Sequence, residues 1–177
     1  RAGTLLGVLD RPQTAMGGRA LREWNLSPLC DAAAIRRRHD GVEELVKDAF
    51  LRRDVAGALG RVRDVERILG RVATGRANAR DLASLLESLV PLPELRRALD
   101  APYSTTLSGL RDRIEPFDGL REQLARAVAD DPPTTITDGG LFKPGYDVAL
   151  DELRSLSRSG KDWIAAHQAS EAARTGI

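Results

Sequence analysis

The chain has 177 residues, 42% hydrophobic, 30% charged and 4% aromatic, with a formal net charge of +1. That composition suits a folded domain with an aliphatic core and does not suit a disordered chain. No apolar run approaches the roughly 18 residues of a membrane helix, no signal-peptide pattern opens the chain, and the single cysteine, Cys30, excludes an intramolecular disulfide and a thiolate zinc cluster.

The first residue is Arg1 rather than Met, so the chain reads as a piece of something longer. Helical periodicity then dominates. In "TAMGGRALREW", Thr14 reads as an N-cap, and Met16, Leu21 and Trp24 share one helical face. Gly17 and Gly18 therefore fall inside the first two turns. A Gly-Gly-Arg run raises the question of a phosphate cradle. Such a cradle needs a preceding buried strand, spaced glycines and usually a lysine at the helix start, and none of these is present. Glycine inside a helix costs up to about 1 kcal/mol against alanine. The pair is therefore expected to serve close packing against another segment.

"DAAAIRRRHDGVEELVKDAF" begins on cap Asp31 and is predicted as one helix, with Ile35, Val42, Leu45, Val46 and Ala49 along its apolar stripe. His39 is expected at the core or its boundary. "RVRDVERILGRVATG" follows, with Val62, Val65, Ile68, Leu69 and Val72 on one face and Gly75 as a stop. "NARDLASLLESLV" opens on Asn78 with Asp81 in the first turn, and its stripe is Leu82, Leu85, Leu86 and Leu89. Pro93 sits at a plausible first helical position before Leu95 and Leu99. Ser104 caps a helix striped by Leu107, Leu110 and Ile114, and another carries Phe117, Leu120, Leu124 and Val128.

The clear break is "DDPPTTITDGGLFKPGYD". Pro132 and Pro133 end a helix, Thr134 to Thr137 are short and β-branched, and Asp138-Gly139-Gly140 is turn chemistry. The longest helix is predicted from near Gly145, striped by Tyr146, Leu150, Leu153, Leu156, Gly160, Ile164 and His167. More than twenty residues exceed ~30 Å at 1.5 Å per residue. A helix of that length is expected to outrun a compact core and to pair with a helix outside this chain. The fold class is all-α: a multi-helical core with a long projecting C-terminal helix and at most one short β-hairpin or extended segment near residues 134–143. The domain reading is a helical core over 1–144 and a long helix over 145–177. An excised piece of this kind should expose apolar surface and self-associate.

Chemistry is harder to place. His39 and His167 lie more than a hundred residues apart with no clustered carboxylates, a poor metal site. No nucleophile-elbow pattern marks a triad, and Asp130-Asp131 reads as a solvated turn. No catalytic, cofactor-binding or metal residue is singled out, and residues touching nucleic acid stay unassigned. Residues 11–80 carry 15 basic and 9 acidic side chains, while residues 81–177 carry 11 and 16. The basic half, with its "IRRRHD" run, suits either an anionic partner or plain solvated helix faces. Three readings stay open from the residues: an arm or scaffold without chemistry, a stand-alone helical nucleic-acid-binding or regulatory module, or an enzyme whose site follows no recognised pattern.

Four stretches, in order, resemble the bacterial MutS DNA mismatch-repair ATPases. "TLLGVLDRPQTAMGGRALREWNLSPLCD" is similar to the opening of the family's core, or lever, domain. "DVERILGRVATGRANARDL" resembles its aspartate-hydrophobic-glutamate-arginine helix and the helix start that follows. "DDPPTTITDGGLFKPGYDVALDELRSL" resembles the approach to its long lever helix, and "RTGI" the passage into its clamp. Asn25 and Cys30 depart from the family pattern, and "HQASEAARTGI" carries fewer charges than the family version. The resemblance implies a structural, allosteric lever that couples DNA clamping to ATP turnover, with no chemistry in this piece. It implies that ATP and Mg are cofactors of the parent protein alone. It also implies that mismatched duplex DNA is met through other domains, that the parent is a cytoplasmic homodimer, and that no membrane is involved.

Overall fold

The computed structural model describes residues 3–175; Arg1, and Gly176-Ile177 of the "RTGI" stretch, lie outside the described residues. The elements run α1 (Leu5–Leu9), α2 (Ala15–Leu26), α3 (Ala32–Lys47), α4 (Ala49–Leu59), α5 (Val65–Ala73), α6 (Ala79–Leu89), α7 (Leu92–Ala98), α8 (Thr105–Arg113), α9 (Asp118–Ala127), a 3-10 turn (Ile136–Asp138) and α10 (Val148–Thr175). Among the described residues there is no sheet, and the fold is all-α. The chain divides into two compact units, Arg1–Leu141 and Phe142–Ile177.

Short polar side chains start most helices of the first unit, α7 and α9 excepted. Thr14 accepts from the Gly17 N–H at 2.9 Å, Asp31 from Ala33 at 2.9 Å and Asp48 from Leu51 at 2.8 Å. Asn78 and Asp81 form a reciprocal capping box at 3.0 and 3.1 Å. Ser104 accepts from Leu107 at 3.3 Å. Each cap satisfies a donor that the first helical turn leaves orphaned. Thr74 closes α5, and Gly75 turns the chain away at φ 67°.

The stretch predicted as one helix from Asp31 to Ala49 is two. Asp48 leaves helical geometry at φ −102°, ψ 97°. Its N–H ends α3 on the Glu44 carbonyl at 2.9 Å. Its carboxylate simultaneously starts α4, and Arg52 covers the Leu45 carbonyl at 2.7 Å. One residue thus serves both helix ends, so the backbone turns with no glycine or proline.

Among the described residues the buried aliphatic ones are Ala58, Ile68, Ala79, Leu85, Leu89, Leu95, Leu99, Leu107, Leu124, Ala127 and Val128. All come from α4 to α9 or the residues that end them. The α3 stripe does not join them. Val42 is 54% and Val46 65% exposed, and His39 is exposed rather than at the core boundary. The buried residues of α3 are Gly41 and Glu44, because α3 packs on α8 through that face. A Cβ on Gly41 would sit 3.1 Å from both Thr106 Cβ and Cγ2, so glycine is what lets α3 and α8 approach.

Between Pro133 and Leu141 the chain forms the 3-10 turn rather than a hairpin. Gly139 and Gly140 take φ 72° and 71°, and the Ala129 N–H donates to the Leu141 carbonyl at 3.0 Å. In the second unit, α10 spans 28 residues, or about 42 Å. It starts at Val148, three residues later than predicted. Gly145 at φ 83° breaks the backbone, and Asp147 caps the Leu150 N–H at 2.9 Å. No residue of α10 is buried, and Leu153, Leu156, Trp163 and Ile164 are exposed.

Candidate functional site

The Gly-Gly-Arg run opens α2, and its glycines have different neighbourhoods. A Cβ on Gly17 would meet Pro12 Cβ and Thr14 Oγ1 at 3.1 Å, whereas one on Gly18 would meet only Asp10 Oδ1 at 3.9 Å. The close approach is therefore to the capping turn just upstream and not to a distant segment. Gly17 carries it, and Gly18 has ordinary room.

Arg19 is occupied by protein carboxylates. Its Nη1 donates to Asp64 Oδ2 at 2.8 Å and its Nη2 to Asp64 Oδ1 at 2.6 Å, a bidentate pair. Its Nε donates to Glu66 Oε2 at 3.0 Å. Two carboxylates fill the guanidinium donors that an anionic ligand would use. The Arg19 hydrogen bonds hold the Asp64 carboxyl at about 2, down from 3.8, against a smaller upward push from burial. Asp64 has a second task, since it caps α5 by accepting from the Arg67 N–H at 3.4 Å. The ion pair therefore fixes α2 to the start of α5 across 45 residues of sequence.

The same device recurs at the next junction. Arg71, in the last turn of α5, donates through Nε to Asp81 Oδ2 at 3.0 Å. Asp81 is also the reciprocal member of the α6 capping box. The Arg71 hydrogen bond lowers its carboxyl most, with the Asn78 N–H adding to it. Just before α5, the Arg63 N–H donates to buried Ser88 Oγ at 3.0 Å, and that hydroxyl donates to the Ser84 carbonyl at 2.7 Å. In consequence α2, α5 and α6 are joined through the carboxylates that set helix starts.

A third junction joins α3 to α8. Glu44 is 2% exposed. It accepts the Tyr103 N–H at Oε1 and the Ser104 N–H at Oε2, both at 2.9 Å. Burial pushes this carboxyl up, but hydrogen bonds from the Ser104 and Tyr103 side outweigh that, and its pKa is lowered. A buried carboxylate persists because two otherwise orphaned N–H groups at the approach to α8 aim at it. The Thr106 hydroxyl donates to the Arg37 carbonyl beside it.

Chemically, these clusters can hold helices at fixed angles. Their carboxylates face arginines or backbone N–H groups, and none meets a nucleophile and base in sequence. Among the described residues no group of three or more His, Cys, Asp or Glu is placed to hold a metal ion, and no helix is long and apolar enough to cross a membrane. His39 is exposed on α3, and His167 stacks on Trp163 of α10 at 5.2 Å. Sequence reasoning found the caps Asn78, Asp81 and Ser104. It missed Glu44 and the second role of Asp64, because a carboxylate's distant partner leaves no local pattern.

The family model described as MutS domain III matches residues 1–174. The chain is 48% identical over 177 residues to the DNA mismatch repair protein MutS of Symbiobacterium thermophilum, covering 100% of this chain and 20% of that protein. It is 44% identical over 177 residues to the MutS of Listeria innocua, covering 100% and 21%. Against the MutS of Methanothrix thermoacetophila it is 43% identical over 179 residues, again covering 100% and 21%. The chain thus spans about a fifth of the length of these relatives. It belongs to the MutS family and corresponds to the family's domain III.

Proposed function

We propose that this domain is the structural lever of a DNA mismatch-recognition ATPase, transmitting between DNA clamping and ATP turnover in the full-length protein and doing no chemistry itself. The observation that carries the reading is the pair of shared carboxylates: Asp64 and Asp81 each set a helix start and hold an arginine of a neighbouring helix. A displacement of α2 is then felt at the origin of α5, and one of α5 at the origin of α6. Coupling of this kind needs an element whose arrangement both sites bias, and helices tied at their ends move as units.

In this reading the ATP and Mg chemistry, the contact with mismatched duplex and a homodimeric assembly belong to the cytoplasmic parent protein, outside these 177 residues. The test is Asp64→Asn in the full-length protein. Basal ATP hydrolysis and duplex affinity should stay within about twofold of wild type, while the change in ATP turnover caused by mismatched duplex shrinks severalfold. Unchanged stimulation with a displaced helix pair would reject the lever role. ATP hydrolysis by the domain alone would reject the assignment of chemistry elsewhere.

A further inference from the structure

Helices α3 and α4 are consecutive, and so are α7 and α8. The four pack as two pairs, α3 on α8 and α4 on α7, and contact between the pairs is mainly that of α3 with α4, its neighbour in sequence. The chain passes from one pair to the other twice. One crossing is Asp48, whose backbone is extended between two helices. The other is residues 100–104, which run from the end of α7 to Ser104, the cap of α8. The crossings lie side by side: Glu44, one turn before Asp48, accepts the N–H groups of Tyr103 and Ser104, both at 2.9 Å. An arginine of the following helix reaches back over each. Arg52 of α4 donates to the Leu45 and Val46 carbonyls at 2.7 and 3.1 Å, and Arg111 of α8 to the Asp100 carbonyl at 3.0 Å.

We propose that the two crossings form a joint inside the lever, at which the α3–α8 pair swings on the α4–α7 pair with Glu44 as its pivot. The inference rests on the lever reading and adds to it the place where the domain bends. Each arm is fixed internally. The Thr106 hydroxyl of α8 donates to the Arg37 carbonyl of α3, and Gly41 lets the two helices meet there. In the other arm Ala58 of α4 and Leu95 and Leu99 of α7 are buried, and Arg61, just after α4, pairs with Glu94 of α7. What is buried at the crossings is polar instead, Glu44 and Ser104. Turning about a hydrogen-bonded point returns little apolar surface to water, whereas pulling either pair apart breaks close packing that does not deform gradually. Two short non-helical links can absorb the change of φ and ψ. A cavity of about 420 Å³ lies against the crossings, between Leu51 and Asp54 of α4, Arg97 of α7 and Tyr103 of the link, and leaves room on that side for the arms to close. The pairing and the straps are contacts of the chain with itself, and they stand whatever else of the parent packs around them.

The test places pairs of spin labels in the full-length protein, its own reactive cysteines, Cys30 included, having been replaced by serine. Arg36→Cys with Arg53→Cys spans the joint. Arg36→Cys with Asp112→Cys, and Arg53→Cys with Arg96→Cys, each stay within one arm; all four positions are exposed. Pulsed dipolar spectroscopy compares the free protein with protein holding a non-hydrolysable ATP analogue and mismatched duplex. The spanning distance should shift by about 2 Å or more, and the two distances within the arms should hold. Arg52→Ala with Arg111→Ala removes both straps and should broaden the spanning distribution in the free protein. Arg52→Lys with Arg111→Lys, which keeps a cationic donor at each place, should narrow it again. Circular dichroism confirms that each variant keeps its helices. A spanning distance that is the same in every state overturns the joint; if mismatched duplex still changes ATP turnover in those samples, the lever reading stands and the lever moves as one body. All three distances changing together overturns it as well, since the whole unit then rearranges. So does an unbroadened distribution once both straps are gone. The lever reading itself fails separately, on the Asp64→Asn measurement.

Discussion

Arg19 grips Asp64 with two parallel hydrogen bonds of 2.8 and 2.6 Å, and the same Asp64 carboxylate starts α5. One side chain thereby sets both the position of α2 and the first turn of a helix 45 residues away. Neutralising it while keeping its shape separates the two tasks. Asparagine caps a helix about as well as aspartate, so Asp64→Asn should remove mainly the ion pair. The expected outcome is a lower urea midpoint at neutral pH, with the deficit shrinking at high salt because Arg19 is partly exposed. The pH sign follows from the depressed folded value, about 2 against 3.8. The stabilisation is present above the unfolded value and disappears as pH falls from about 4 towards 2. Identical midpoints for variant and wild type at pH 7 would contradict this.

Glu44 should be more demanding. Glu44→Ala leaves the Tyr103 and Ser104 N–H groups without their acceptor, and an unsatisfied buried donor costs about 1–3 kcal/mol. Glu44→Gln keeps one acceptor and should cost less. Its folded pKa is lowered from 4.5, so its charged form stabilises above that value and the benefit is lost as pH drops below it. Urea titrations from neutral pH to pH 3 should show the glutamine variant losing less stability on acidification than wild type. Parallel slopes would rule out Glu44 as the group responsible.

Two glycine substitutions should move stability in opposite directions. Gly109, inside α8, has no heavy atom within 4 Å of an added Cβ, so Gly109→Ala should stabilise by up to about 1 kcal/mol through helix propensity. Gly41→Ala gains the same propensity but drives a methyl to 3.1 Å from Thr106. Overpacking costs about 1–3 kcal/mol, so the net change should be destabilising. Thermal midpoints of the two variants lying on the same side of wild type would show that the α3–α8 contact yields easily.

The 177-residue chain alone should self-associate. Leu153, Leu156, Trp163 and Ile164 are exposed on α10, and none of that helix is buried. Contiguous apolar surface of this kind favours association. Light scattering across a concentration series should give a rising apparent mass, and Leu156→Glu with Ile164→Glu should lower it. A concentration-independent monomer would count against the expectation.

What the sequence determined by itself is local. Thr14, Asp31, Asn78 and Ser104 were legible as helix starts, because a cap and the N–H groups it satisfies lie within three residues. Leu85, Leu89, Leu95, Leu99, Leu107 and Leu124 were legible as core from their spacing, and they are buried. The family was legible too, since its motifs recur in order along the chain. Tertiary structure decided the rest. Periodicity placed Val42 and Val46 inside, yet α3 turns Gly41 and Glu44 inward instead, because the backbone N–H groups that need Glu44 arrive from 59 and 60 residues away. Asp48 could divide two helices only once Arg52 folded back to cover the last carbonyls of α3. Arg19 likewise looks no different in sequence from Arg37 or Arg113. Folding brings Asp64 and Glu66 to Arg19, and among the described residues no carboxylate to the other two, because a charge is answered by what lies near it in space rather than along the chain.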